Sequence, residues 1–253
     1  MRTIIGIAIL AITFGVVGTP VAWAFHESFD SYQAGDSLTV VNPTDWRKGI
    51  TQNFEGVRVT NAQAHSPGLS GTPIENSDPV GRSGAVHDFA IMQTDVIVSA
   101  WIWSDLIGSE GTDFRYYHIG IDTDEELWNT GVSIYEWKYS TPGWNGRWGV
   151  RDSLENVYDS GVSHGATWKQ VKFVVSSTLG TAVWIDGQYI ITDPAVKQFN
   201  KLMILADPFT KYEYMHAFID DIDVSPIPEP SGLLALAGGL ATVGGFAWRK
   251  RRS

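Results

Sequence analysis

The sequence contains no cysteine among its 253 residues. That absence excludes disulfide frameworks, thiolate metal sites and cysteine nucleophiles together. Charge is scarce as well: Asp, Glu, Lys and Arg make up 18% of the chain, against ~25% in an average soluble domain. Basic residues are the scarcer sign, 18 against 28 acidic ones, for a formal net charge of −10. Nucleic acid is excluded as a partner on that ground, because its binders neutralise phosphates with basic patches. The six histidines stand apart at 26, 65, 87, 118, 164 and 216 and form no HExxH or similar pair, so the zinc signature is missing. No Gly-x-Ser-x-Gly elbow accompanies them, which removes the usual serine-hydrolase signal. What the chain does have is 43% hydrophobic residues, 26 glycines and 11 tryptophans, enough for a packed core with many turns.

The two ends read as addresses. Met1-Arg2-Thr3 is a short positive start, Ile4 to Val17 is mostly apolar, and Ala22-Trp23-Ala24 supplies a small-x-small site. That anatomy predicts a signal peptide over 1–24, removed by signal peptidase to leave Phe25 first. At the other end, Pro226-Ile227-Pro228-Glu229-Pro230 is rigid and extended, since each proline fixes φ and disfavours helix before it. Gly232 to Trp248 follows without a charge, then Arg249-Lys250-Arg251-Arg252. As a helix this apolar stretch would reach ~25 Å, the short limit of a membrane span. The basic cluster would stay cytoplasmic and leave the preceding domain outside. The order Pro228-Glu229-Pro230, apolar helix, terminal basic cluster resembles the PEP-CTERM sorting signal. The resemblance implies exosortase as a partner, a Gram-negative host that makes exopolysaccharide, and transient anchoring before delivery to the cell envelope or extracellular matrix. A permanent C-terminal anchor is the plainer alternative.

Between the ends, residues 25–225 hold all but one of the acidic residues and lose five basic ones, so this part is more acidic than the whole. That disfavours binding to anionic lipid. Runs rich in β-branched and aromatic residues recur: Val96–Trp103, Tyr116–Ile121, Val132–Trp137, Trp148–Arg151, Trp168–Val175, Lys201–Ala206 and Ala217–Val224. Ala182–Ile185 and Gln188–Ile191 flank Asp186-Gly187, the pair suited to a type I′ hairpin turn. Convincing helical periodicity is missing. The pattern predicts an all-β fold, one antiparallel sandwich without an internal linker.

Glu27-Ser28-Phe29-Asp30-Ser31-Tyr32 with Gly35, Trp168–Phe173 followed by Val183–Gly187, and Ile219–Val224 resemble the first strand, late hairpin and last strand of concanavalin A-like, laminin-G-like jelly rolls. The resemblance implies a jelly roll in which first and last strands pair. It does not choose among lectins, glycan hydrolases, adhesion modules and structural units.

Three residue sets carry candidate chemistry. Asp122, Asp124 and Glu126 would share one face of an extended strand. They resemble the Glu-x-Asp-x-Glu strand of retaining β-glucanases, where two carboxylates ~5–5.5 Å apart act as nucleophile and acid. An aspartate at the first position shortens the reach, and Asn129-Thr130-Gly131 equally suits a solvated acidic turn. Calcium takes six to eight oxygens. If the first and last strands pair, Glu27 and Asp30 would approach Asp220, Asp221 and Asp223, a set for a structural calcium; alternate aspartates facing solvent are the simpler reading. Trp144 and Trp148 flank Asn145-Gly146-Arg147, a loop from which their rings would stack on sugars. Trp101 and Trp103 share a strand face. The resulting expectation is an exported, non-catalytic surface or matrix protein that binds polysaccharide. A β-glucanase-like hydrolase and a spacer without ligand are the alternatives.

Overall fold

Residues 24–48, 56–73, 83–105, 114–123, 131–138, 146–207 and 217–227 are described by the structure, a computed structural model. Residues 1–23 of the expected signal peptide, Pro228-Glu229-Pro230 and the apolar and basic tail lie outside them, as do Asp124, Glu126 and Trp144. Among the described residues no helix is long and apolar enough to cross a membrane.

Strands dominate from the first residues: β1 (Phe25–Glu27), β2 (Arg47–Lys48), β3 (Val57–Thr60), β4 (Ser70–Pro73), β5 (Ser83–Gln93), β6 (Val96–Ser104), β7 (Phe114–Asp122) and β8 (Val132–Lys138). They continue as β9 (Arg147–Arg151), β10 (Val157–Ser163), β11 (Lys169–Ser176), β12 (Gly180–Ile185), β13 (Gln188–Asp193), β14 (Phe199–Asp207) and β15 (Ala217–Pro226). The one helix described, α1 (Leu38–Val41), is a single turn without a side-chain cap. It is too short to be stable except by packing, and Leu38 is buried in the core.

The strands form two antiparallel sheets. One has eight strands in the order β13-β12-β11-β6-β15-β4-β3, with β1 added to β15; the other has seven, β10-β9-β8-β7-β14-β5-β2. The sandwich expected from the sequence is therefore present. First and last strands pair as well, Phe25 with Val224 and Glu27 with Ile222. The β12–β13 hairpin turns on Asp186 (φ 52°) and Gly187 (φ 78°), the two left-handed residues that a type I′ turn requires.

The period of two sorts side chains between core and surface. Val96, Val98, Ala100 and Ile102 of β6 meet Val171, Phe173 and Val175 of β11 and Val183 and Ile185 of β12 from one sheet. Ile119, Ile121, Val132, Ile134, Val150, Leu202 and Ile204 face them from the other.

Strand directions define two poles. The lower pole collects the end of β5, the start of β6, the β9–β10, β11–β12 and β13–β14 connections, the start of β1 and the end of β15. The upper pole collects the Asp186-Gly187 turn, the starts of β5, β7, β9 and β15, and the ends of β6, β8 and β14.

Candidate functional site

The acidic segment singled out in the sequence begins at the last residue of β7, on the outward side of the seven-stranded sheet. There Asp88, Lys201 and Asp122 are Cα partners across β5, β14 and β7, so their side chains form one row on one face. Lys201 Nζ reaches Asp88 Oδ1 at 2.9 Å, and Arg47 Nη2 reaches the same atom at 3.0 Å while its Nε pairs with Oδ2. The Arg47 guanidinium, aided by Lys201, holds the Asp88 carboxyl below the usual carboxylate range. The adjacent row, Val86, Met203, Gly120 and Ser133, is buried.

Asp122 itself is fully buried. Its Oδ1 accepts the Thr123 N–H at 2.6 Å, and its carboxyl lies against the backbone at Gly131. A Cβ built on Gly131 would stand 2.9 Å from the Asp122 carboxyl carbon and 2.3 Å from the Ile121 carbonyl, so only glycine fits there. A carboxylate closed in this way does not reach a sugar. Asp124 and Glu126 lie outside the described residues, so the trio is not seen assembled.

Trp148 corrects the sequence expectation. Arg147 is not a loop residue but starts β9, and Trp148 shares the inward side of Val150, fully buried. His118 and His164 meet its indole edge-on from two sides, each with ring centroids at 4.5 Å. It is a core residue, not a stacking platform. Trp101 and Trp103 share the outward face of β6 as expected. Trp103 is covered and packs against Phe218 at 5.3 Å, whereas Trp101 is stacked at 3.8 Å by His65 from the β3–β4 connection.

The five carboxylates expected to gather for calcium are divided by the sheet. Glu27 lies on the inward side with Ile222 and is spent on its own neighbours. Its Oε1 accepts Phe29 N–H at 2.8 Å, and its Oε2 accepts Tyr32 O–H at 2.9 Å and Trp46 Nε1–H at 3.1 Å. Asp30 Oδ1 accepts Leu69 N–H at 3.0 Å. Asp220 faces the other way, beside Trp101. Its Oδ2 accepts the N–H groups of His65 at 2.9 Å and Ser66 at 3.3 Å, and its Oδ1 accepts that of Asp221. Burial pushes the Asp220 carboxyl up, against the pull of the His65 N–H. Asp221 pairs with His65 Nδ1 at 2.9 Å, and its own left-handed backbone, φ 48°, makes the β-bulge that turns Asp220 outward and returns Ile222 inward. Asp223, Cα partner of His26 and Ser99, joins none of these groups. Glu27, Asp30, Asp220, Asp221 and Asp223 therefore do not make one coordination sphere. Among the described residues no group of three His, Asp or Glu could hold a metal ion. The roles of His65 and Ser66 had no signal in the sequence, because their partners lie some 155 positions away.

No protein-family model matches the sequence, and no curated protein matches it. Solved structures do resemble it. A cellulose-induced protein is 12% identical, with a TM-score of 0.54 over 79% of this chain and 96% of that one. A Bacteroides ovatus mixed-linkage glucan GH16 protein, solved with a G4G4G3G product, is 8% identical with a TM-score of 0.51 over 79% and 98%. β-Agarase A, solved with oligoagarose, is 11% identical with a TM-score of 0.51 over 79% and 89%. The domain shares the two-sheet jelly-roll fold of these proteins. At such identity the likeness carries the fold and leaves activity open. Within this jelly roll, β7 ends at the lower pole, whereas β8 ends and β9 begins at the upper pole.

Proposed function

We propose that this chain is an exported, non-catalytic surface or matrix protein whose jelly roll binds polysaccharide, and that exosortase processes its C-terminal segment. The observation that carries the non-catalytic reading is the enclosure of Asp122, which leaves the first candidate nucleophile without access to a sugar. Polysaccharide is favoured as the ligand by the company the fold keeps: structures named for cellulose induction, mixed-linkage glucan and agarose share it. The upper pole is the favoured place. The strands β2, β4, β6, β8 and β14 end there and β3, β5, β7, β9 and β15 begin there; the sequence between them, outside the described residues, contains Phe54, Tyr139, Trp144, Phe209, Tyr212 and Tyr214. Aromatic rings suit the part-apolar faces of sugars.

The full chain is expected to be retained on exopolysaccharide from its own host and to release no reducing sugar from it or from β-glucans. Trp144→Ala is expected to weaken retention without changing the melting temperature. Release of reducing sugar that Asp124→Asn abolishes would replace this reading with the hydrolase. Retention that is absent in the unaltered chain would leave a spacer.

A further inference from the structure

We propose that the outward face of the eight-stranded sheet is a second glycan surface, a flat aromatic strip for a neutral polysaccharide chain. Register makes its residues neighbours. Ser99 of β6, Lys172 of β11, Trp184 of β12 and Tyr189 of β13 are successive Cα partners, so they form one row across four adjacent strands. Val98, Phe173, Val183 and Ile185 beside them point into the core, and the period of two sends the row to the other side. Trp184 and Tyr189 meet edge to face with ring centroids 5.4 Å apart. The next row on the same face is Ile97, Val174, Ala182 and Thr192. Tyr189 Oη and Thr192 Oγ1, 3.0 Å apart, join the two rows. With ~4.8 Å between strands, the first row runs ~14 Å, longer than one sugar ring.

The two sheets differ in how their outward faces are covered. On the seven-stranded sheet, Val86, Met203 and Ser133 are 2%, 3% and 4% exposed. On the eight-stranded sheet, Ser99, Lys172, Val174 and Trp184 are half-buried and Tyr189 is 49% exposed. One row away, His65 of the β3–β4 connection lies on Trp101 at 3.8 Å. Among the described residues, the one ring against Trp184 is that of Tyr189. Lys169 and Lys201 are paired to Asp186 and Asp88, whereas Lys172 enters no ion pair among the described residues.

The chemistry of the strip selects its occupant. Small-molecule sites are concave, and a flat face suits a polymer lying across it. Rings take the apolar faces of sugars, while Lys172 Nζ and the hydroxyls of Ser99, Tyr189 and Thr192 supply hydrogen bonds. A second copy of the chain fits less well. Lys172 and Asp223 stand on either side of Ser99 in the row, and charge is depleted at the core of protein interfaces. The net charge of −10 repels a polyanion, so the polymer is neutral. This inference rests on the polysaccharide reading but on none of its upper-pole residues.

The test places the full chain, in detergent, over immobilised host exopolysaccharide, mixed-linkage β-glucan and alginate, with binding read by biolayer interferometry. The unaltered chain is expected to bind at least one of the first two, unchanged by high salt, and to ignore alginate. Tyr189→Ala and Trp184→Ala are each expected to weaken that binding about tenfold, the loss of one aromatic anchor. Trp144→Ala combined with Trp184→Ala is expected to abolish it, because two sites on one polymer reinforce each other through effective concentration. Urea midpoints separate lost contact from lost fold, and Tyr189→Ala carries the test should Trp184→Ala unfold. Binding that the folded variants at 184 and 189 leave intact would overturn this inference and spare the polysaccharide reading. No binding by the unaltered chain would overturn both. Tighter binding to alginate that high salt removes would replace the neutral polymer with an acidic one. A dimer that Trp184→Ala converts to monomer would replace it with a second copy.

Discussion

Trp148 shows how one residue changes its reading once its strand is known. Beside Asn145-Gly146-Arg147 it looks like a loop aromatic, yet the period of β9 turns it into the core between His118 and His164. Trp148→Ala is expected to cost ~3–5 kcal/mol, read as a lower urea midpoint, whereas a surface ring would cost little. His87 makes the other prediction at this scale. It is enclosed by Phe25, Trp46 and Phe89, with Asp45, Asp88 and Glu27 around it, and its Nδ1 donates to the Asp45 carbonyl at 2.7 Å. Burial lowers its pKa, against the pull of that hydrogen bond. The unfolded chain therefore takes up a proton near pH ~6.5 while the folded chain resists it. Stability is expected to fall as pH drops from that value through the lowered folded pKa. His87→Phe, which keeps a ring but cannot titrate, should flatten the slope of unfolding free energy against pH.

Elements differed in how openly the sequence announced them. β6 and the β12–β13 hairpin were legible because β-branched and aromatic residues are concentrated in them and Asp186-Gly187 suits a type I′ turn. β5 and β10 were not. β5 carries His87 and Asp88 in mid-strand and then bulges, and β10 reads Val-Tyr-Asp-Ser-Gly-Val-Ser, polar because it is an edge strand. The first-to-last pairing was legible through resemblance, but the division of its carboxylates was not, since it depends on one bulge at Asp221. Two element-scale outcomes follow. Gly149→Ala would place a Cβ 2.9 Å from the Tyr135 ring that lies across it, an overpacking expected to cost ~1–3 kcal/mol in denaturant melts. Glu27→Ala would strip the buried Trp46 Nε1–H and Phe29 N–H of their acceptor, expected to cost ~1–3 kcal/mol for each group left unsatisfied. A Glu27→Gln variant, which keeps both acceptor sites only in part, should fall between Glu27→Ala and the unaltered chain.

At the scale of the whole molecule, the jelly roll brings its first and last strands to one pole. The described chain enters and leaves at the lower one, and the upper one collects the ends of β6, β8 and β14 with the Asp186-Gly187 turn. Under the proposed sorting, a domain held by its lower end would offer its upper end to the surrounding polymer. Trp144→Ala should therefore impair glycan retention while leaving the unfolding midpoint unchanged. The most direct test of the central claim is equilibrium dialysis of the full chain, in detergent, against exopolysaccharide purified from its own host. Saturable uptake is expected, with the polymer's size distribution unchanged. A linear, non-saturating isotherm, or a polymer shortened after incubation, would contradict it.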